Sequence, residues 1–426
     1  MNAPDQTTTQ SPMHTPVPPA PIPRKRIPGS AYIVLYLLLA LATVTIGIGA
    51  GALRSDAKWM LYTAEALSIA AVVLMILHMW RAGRAAKGLY PVLITGTVFL
   101  AYLTQSCIIP AMVIALLFLV GEGSALVAVV THEQARWLPL LPILGFAATV
   151  AVCRDPLIAL ITLVPFPAML TLAFGTRKSN ASDTGITRVG VICATAFALG
   201  LSITAVAAAF FYRRFGSISP SVLNTALETL RAYLIQAFTA VELPPEATDE
   251  MRELFTLENA TNMVNSAINI LPGTLISSIA ILCAAAQMIQ HATLQTFAPG
   301  TPISDRARVF AVSLVAGIVF AIAYLVAIFS SDGDSTLIGT VAQNIYLVLL
   351  PGLALAGLIR VMSSLTRRGA GSMGCMFFLV ILIPCLFLLA PVALALVEVV
   401  GGISSAIASR VRRPHDQDPF GPSSDD

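Results

Sequence analysis

Charge is what this sequence lacks most. Only 11% of its 426 residues are Asp, Glu, Lys or Arg, against roughly 25% in a soluble domain. So few charges cannot cover a water-facing surface, which excludes an ordinary soluble fold. The net charge of +3 is small and its carriers are scattered, which excludes a nucleic-acid-binding face. Cysteine is sparse too. Cys107, Cys153, Cys193, Cys283, Cys375 and Cys385 lie far apart in or beside apolar runs, with no CxxC. That excludes a zinc or disulfide framework and leaves small packing residues. No GK[ST] phosphate loop occurs, so no ATPase is recognisable. HExxH and GxSxG are missing as well. Neither an enzyme nor a metal or cofactor is expected.

What the sequence does have is long apolar runs. A spanning helix needs about 20 apolar residues. Candidates are 31–53, 59–80, 89–107, 109–131, 138–153, 156–174, 189–212, 267–291, 309–329, 337–361 and 373–400. The run 89–131 is continuous and is divided near Pro110. Pro384, Pro391 and Gly401-Gly402 could fold the last run back as two short helices. The expectation is an all-α, polytopic transmembrane helix bundle of about 10–12 helices in a lipid bilayer.

Residues 1–30 form a proline-rich polar tail that ends in Arg24-Lys25-Arg26. A first block of spanning helices covers 31–212, and a second covers 267–413. Between them, 213–266 is an amphipathic, acidic insert, and 414–426 is a polar tail. Basic residues mark the cytoplasmic side. Arg24–Arg26, Arg81/Arg84/Lys87, Arg177/Lys178/Arg188, Arg306/Arg308 and Arg360/Arg367/Arg368 then share one side, and the insert falls outside. Arg213/Arg214 run against the pattern. Arg410/Arg412/Arg413 do so unless the last run folds back. In the insert, Ser219 can cap a helix with Pro220 at its first position. Leu223, Leu227, Leu230, Leu234, Phe238 and Val241 form its apolar stripe.

Intramembrane polar residues are few, and they draw attention because charge in lipid is costly. Glu122 stands between Gly121 and Gly123 in LLFLVGEGSALVAV, the only charge from Pro91 to Thr131. It must be protonated, paired or facing a wet cavity. Three explanations stay open: a structural hydrogen bond to a neighbouring helix, a ligand or proton site, and a misplaced helix boundary. Gln343, Asn344 and Gln105 are the candidate partners, together lining a cavity for a small-molecule ligand. Gln287, Gln290 and His291 close the 267–291 run. Gly47 and Gly51 form a small-xxx-small face for close helix packing.

Two C-terminal stretches carry a resemblance. QNIYLVLLPGLALAGLIRVMSSLTRRG, Gln343–Gly369, resembles the late helix of the YybS-like family of bacterial multi-pass membrane proteins. LAPVALALVEVVGGISSAIASRVRR, Leu389–Arg413, is similar to that family's closing segment, although Ser404-Ser405 stand where the family usually has an acidic residue. The resemblance implies a bacterial inner membrane location and a basic cytoplasmic end at Arg410/Arg412/Arg413. The family has no established activity, and some members resemble the substrate-capturing subunits of energy-coupling-factor transporters. The leading function is a multi-pass protein that binds or passes a small molecule. The alternative is a scaffold with a membrane-protein partner.

Overall fold

In the computed structural model the residues described are 22, 24, 26–55, 57–82, 89–181, 188–240, 248, 255–297, 314–330, 337–367, 392 and 395–404. The chain is an all-α helical bundle, and no strand occurs among these residues. The helices are α1 (Gly29–Ala52), α2 (Lys58–Ala82), α3 (Leu89–Thr104), α4 (Ile108–Val129), α5 (His132–Ala135), α6 (Leu140–Cys153), α7 (Pro156–Leu160), α8 (Pro165–Ala181), α9 (Arg188–Phe215), α10 (Pro220–Thr239), α11 (Leu257–Phe297), α12 (Leu314–Phe329) and α13 (Leu337–Arg367). A last described helix, α14, is Ala395–Ser404. Among the described residues eight helical stretches are long and apolar enough to cross a membrane, two of them joining α5 to α6 (His132–Cys153) and α7 to α8 (Pro156–Ser179), and three further apolar helices are shorter. This is the make-up of a membrane protein. Most of the expected final run, 373–400, and most of the acidic residues of the insert lie outside the described residues.

The break between α3 and α4 falls at Gln105–Cys107, not near Pro110. Pro110 sits in the first turn of α4, where its missing N–H removes no intrahelical bond. The turn is instead made by Gln105, whose φ of 49° is left-handed.

Helix α4 is the axis of the bundle. It packs against α1, α2, α3, α8 and α11 and is buried along nearly all its length. Its small residues make this possible. A Cβ on Gly121 would lie 2.9 Å from Ile289 and 3.0 Å from the Ala286 carbonyl of α11. A Cβ on Gly123 would lie 2.6 Å from the sulfur of Met169 in α8. The two glycines beside Glu122 therefore let two helices close on α4 from different sides. Gly47 and Gly51 act likewise in α1, because a Cβ there would collide with Thr149 and Cys153 of α6.

Asp155 anchors an ion-pair cluster at one end of the bundle. Asp155 caps α7 by accepting a hydrogen bond from Leu157 N–H at 2.9 Å. It also pairs with Arg213 at 2.6 Å and, more distantly, Arg54 at 3.9 Å. Arg54 in turn lies over the Phe210 ring, 5.5 Å from its centre. This clasp ties the ends of α1 and α9 to the start of α7. It gives Arg213, which runs against the basic pattern, a local counter-charge.

Helix α11 begins at Leu257, ahead of the expected 267, and runs 41 residues. At about 1.5 Å per residue it is roughly 62 Å long, twice an apolar bilayer core. Pro272 interrupts its ladder, and Asn344 of α13 repairs the gap. Gly273 N–H donates to Asn344 Oδ1 at 2.6 Å, and Asn344 Nδ2 donates to the Asn269 carbonyl at 2.8 Å. These two backbone groups would bond each other in an unbroken helix. The amide is inserted between them. Gly273 is required there, since a Cβ would meet the Asn344 backbone at 2.9 Å.

Helix α10 packs on α11 and starts as expected, with Val222 N–H donating to Ser219 Oγ at 3.4 Å. Its stripe divides in two. Leu234 and Phe238 are half-buried, and Phe238 stacks on Phe255. Leu223, Leu227 and Leu230 are exposed.

Candidate functional site

Glu122 is wholly buried in α4, at 0% exposure. Neither carboxyl oxygen has a hydrogen-bond partner among the described residues. Thr293 of α11 is a polar neighbour of the carboxyl but falls outside hydrogen-bond geometry. A buried, unpartnered carboxylate is strongly disfavoured, whereas a neutral acid is tolerated.

The partners expected from sequence are elsewhere. Gln105 is exposed at the α3–α4 break, while Glu122 lies about 21 Å further along α4. Asn344 is engaged at Gly273, about 24 Å along α11 from Ile289, the residue that packs on Gly121. Gln343, next to it in α13, is half-buried at that same level. Asn344 is a structural bracket, and the expected Glu122–Gln343–Asn344–Gln105 cavity does not form.

The polar residues that do surround this level belong to α8, α9 and α11. Gln290 is fully buried. Its Oε1 accepts from Thr176 Oγ1 at 2.8 Å, and its Nε2 donates to the Leu172 carbonyl at 3.4 Å. Arg188 Nε donates to Gln287 Oε1 at 2.7 Å, and Gln287 Nε2 returns a long bond to the Arg188 carbonyl at 3.5 Å. No carboxylate pairs with Arg188 among the described residues. His291 Nδ1 is buried without a partner among the described residues. Together with Thr293 these side chains give α11 a polar stretch from 287 to 293.

The signal for this cluster was present in the sequence as Gln287, Gln290 and His291. It is hidden by the helix boundary. A helix ending at 291 puts these residues at a frayed end, whereas the actual helix continues to Phe297 and sets them inside the bundle.

Toward the opposite end the surroundings of Glu122 turn apolar. Leu116, Leu117 and Val120 of α4, Leu199 of α9, and Leu282, Cys283 and Ala286 of α11 line a narrow slot. In α8 Met169 and Leu172 likewise precede Thr176 and Ser179, whereas α4 is apolar on both sides of Glu122, from Leu117–Val120 to Ala125–Val130.

Comparison of the chain with protein-family models, curated proteins and solved structures finds no match.

Proposed function

We propose that this chain is a multi-pass, non-enzymatic protein of a bacterial inner membrane that binds or carries a small solute, with Glu122 as its protonatable group. The observation that carries this is the fully buried carboxyl without a hydrogen-bond partner among the described residues. A helix gains nothing in stability from such a group, whereas an apolar residue would pack without penalty. Buried acids in spanning helices commonly serve proton relays and substrate sites. The polar side chains of α8, α9 and α11 lie on the end rich in Lys and Arg. By the positive-inside rule that end faces the cytoplasm, and the 213–266 insert faces outward. The YybS-like resemblance of the C-terminal stretches accords with a bacterial membrane.

The test is proton flux into proteoliposomes. The purified chain is reconstituted around a trapped pH-sensitive dye, and a potassium diffusion potential is imposed. Flux above that of protein-free vesicles, lost in Glu122→Gln, is expected. Equal flux in parent and variant would overturn the proposal.

The exposed Leu223, Leu227 and Leu230 of α10 favour a second assignment, a scaffold that binds another membrane protein. Under that assignment Glu122→Gln leaves cellular function intact and Leu227→Glu abolishes it.

A further inference from the structure

Arg188 is a cation set into the bundle with only a neutral amide for company. It opens α9 and is half-buried. Its Nε donates to Gln287 Oε1 at 2.7 Å, and Gln287 is only 2% exposed. The side chain therefore turns inward, whereas a snorkelling arginine would extend its head toward water. No carboxylate meets it among the described residues. Its one side-chain hydrogen bond among those residues is the bond from Nε, so Nη1 and Nη2 are left without an acceptor. A guanidinium withdrawn from water normally holds a carboxylate or phosphate through those nitrogens. His291 stands one turn from Gln287 on the same face of α11, within reach of the Arg188 charge. Its buried Nδ1 also lacks a partner among the described residues. The nearby Gln290 is already spent on Thr176 and the Leu172 carbonyl. The positive end of the α9 dipole adds to the field of Arg188.

We propose that Arg188, oriented by Gln287 and joined by His291, binds a small oxyanion of the carboxylate class. The planar guanidinium presents parallel N–H donors that match the two oxygens of a carboxylate. Gln287 fixes that plane, because its Oε1 holds Nε and its Nε2 donates to the Arg188 carbonyl at 3.5 Å. The inference names the solute class of the proposed function, and it rests on that function only in treating the anion as carried cargo. Helix α11 links the two groups. Ala286, the residue before Gln287, packs on Gly121, and Thr293 neighbours Glu122. One helix thus turns an anion-binding face to α9 and faces the acid with its other side. An anionic lipid headgroup offers the same oxyanion chemistry, and the experiment separates the two sources.

Phenylglyoxal labelling of Arg188 in the full-length chain, read by peptide mass spectrometry, tests this without any transport assay. The reagent adds to a guanidinium, and a bound anion shields it. Sodium lactate is the probe, and sodium chloride at equal ionic strength is its control. In phosphatidylcholine nanodiscs Arg188 should react, and lactate at ten times its Kd should slow the reaction about tenfold. Arg214, exposed at the other end of α9, should react equally with and without lactate. Gln287→Glu keeps the side-chain shape and sets a carboxylate against Nε, so Arg188 should label slowly and lactate should lose its effect. Lactate protection that persists in Gln287→Glu would overturn the role of Gln287. Protection by phosphatidylglycerol nanodiscs with no effect of lactate would overturn the solute and give the site to a lipid headgroup. Protection by neither, or an Arg188 that never reacts, would overturn the oxyanion site. Glu122→Gln should leave lactate protection unchanged. If lactate protects but proton flux is absent, the anion site stands and the proposed function falls. Flux without protection would reverse that outcome.

Discussion

Replacing Asn344 with Ala should destabilise the chain far more than loss of an ordinary polar side chain. The Asn344 amide takes up Gly273 N–H and the Asn269 carbonyl at 2.6 and 2.8 Å, beside the Pro272 that breaks the ladder. Without it, two backbone groups in a spanning helix lose their partners. An orphaned buried polar group costs about 1–3 kcal/mol. Single interhelical hydrogen bonds in membranes average only about 0.6 kcal/mol, because relaxation finds substitutes. Here Gly273 and Asn269 can partly bond each other, so the total is set at about 2–4 kcal/mol. Reversible unfolding in mixed detergent micelles measures it. Pro272→Ala restores an N–H and lets the ladder close, so it should rescue at least half of the Asn344→Ala loss. The two sites touch, and their effects should therefore be non-additive. An Asn344→Ala cost below about 0.5 kcal/mol, the size of an ordinary surface change, would refute the bracket. Rescue failure would show that Pro272 is not what opens the ladder.

Further outcomes follow from other contacts. Gly121→Ala should cost about 1–3 kcal/mol in the same unfolding assay, because the new methyl meets the Ala286 carbonyl at 3.0 Å and backbone must move. Asp155, whose partial burial alone would raise its pKa, is held below the usual carboxylate range by the Leu157 N–H and by Arg213 and Arg54. The stability gap between the parent and Asp155→Asn should therefore be fully present above about pH 5 and vanish as pH falls below about 4. That gap should be about 0.5–1 kcal/mol, the size of solvent-screened ion pairs alone, since Asn caps a helix as well as Asp. A gap that grows on acidification would contradict the clasp. Glu122→Gln should leave expression and unfolding nearly unchanged. Glu122→Leu should do the same, since the carboxyl makes no hydrogen bond to lose. A large loss in Leu alone would mean that a structural bond exists.

Much of the architecture was legible from composition and run length, because a helix in lipid must be apolar over about 20 residues whatever it packs against. Boundaries were less legible. Pro110 looked like a break but sits in a first turn, where proline costs no bond. Helix α11 continues beyond both ends of its apolar run, since tertiary contacts with α10 and α8 stabilise polar turns that hydropathy alone would end. The importance of Glu122 was visible as a lone charge between glycines. Its partners were not, because register between distant helices is set by small residues such as Gly121 and Gly273 meeting Ile289 and Asn344. Nothing in the spacing of Gln343, Asn344 and Gln105 shows that they lie more than 20 Å away along their helices. The contact of Ile22 with α4 and α11 was equally hidden, since Ile22 in a proline-rich tail has no periodicity to mark it.

The central claim is that Glu122 is a neutral, unpartnered acid that exchanges its proton at the edge of a polar cluster. Infrared difference spectroscopy on the reconstituted chain tests it most directly. The parent should show a protonated-carboxyl stretch at high frequency, typical of a carboxyl without hydrogen bonds, that is missing in Glu122→Gln. A parent spectrum with no carboxyl band assignable to Glu122 at neutral pH would mean that the acid is ionised and paired, and would contradict the account.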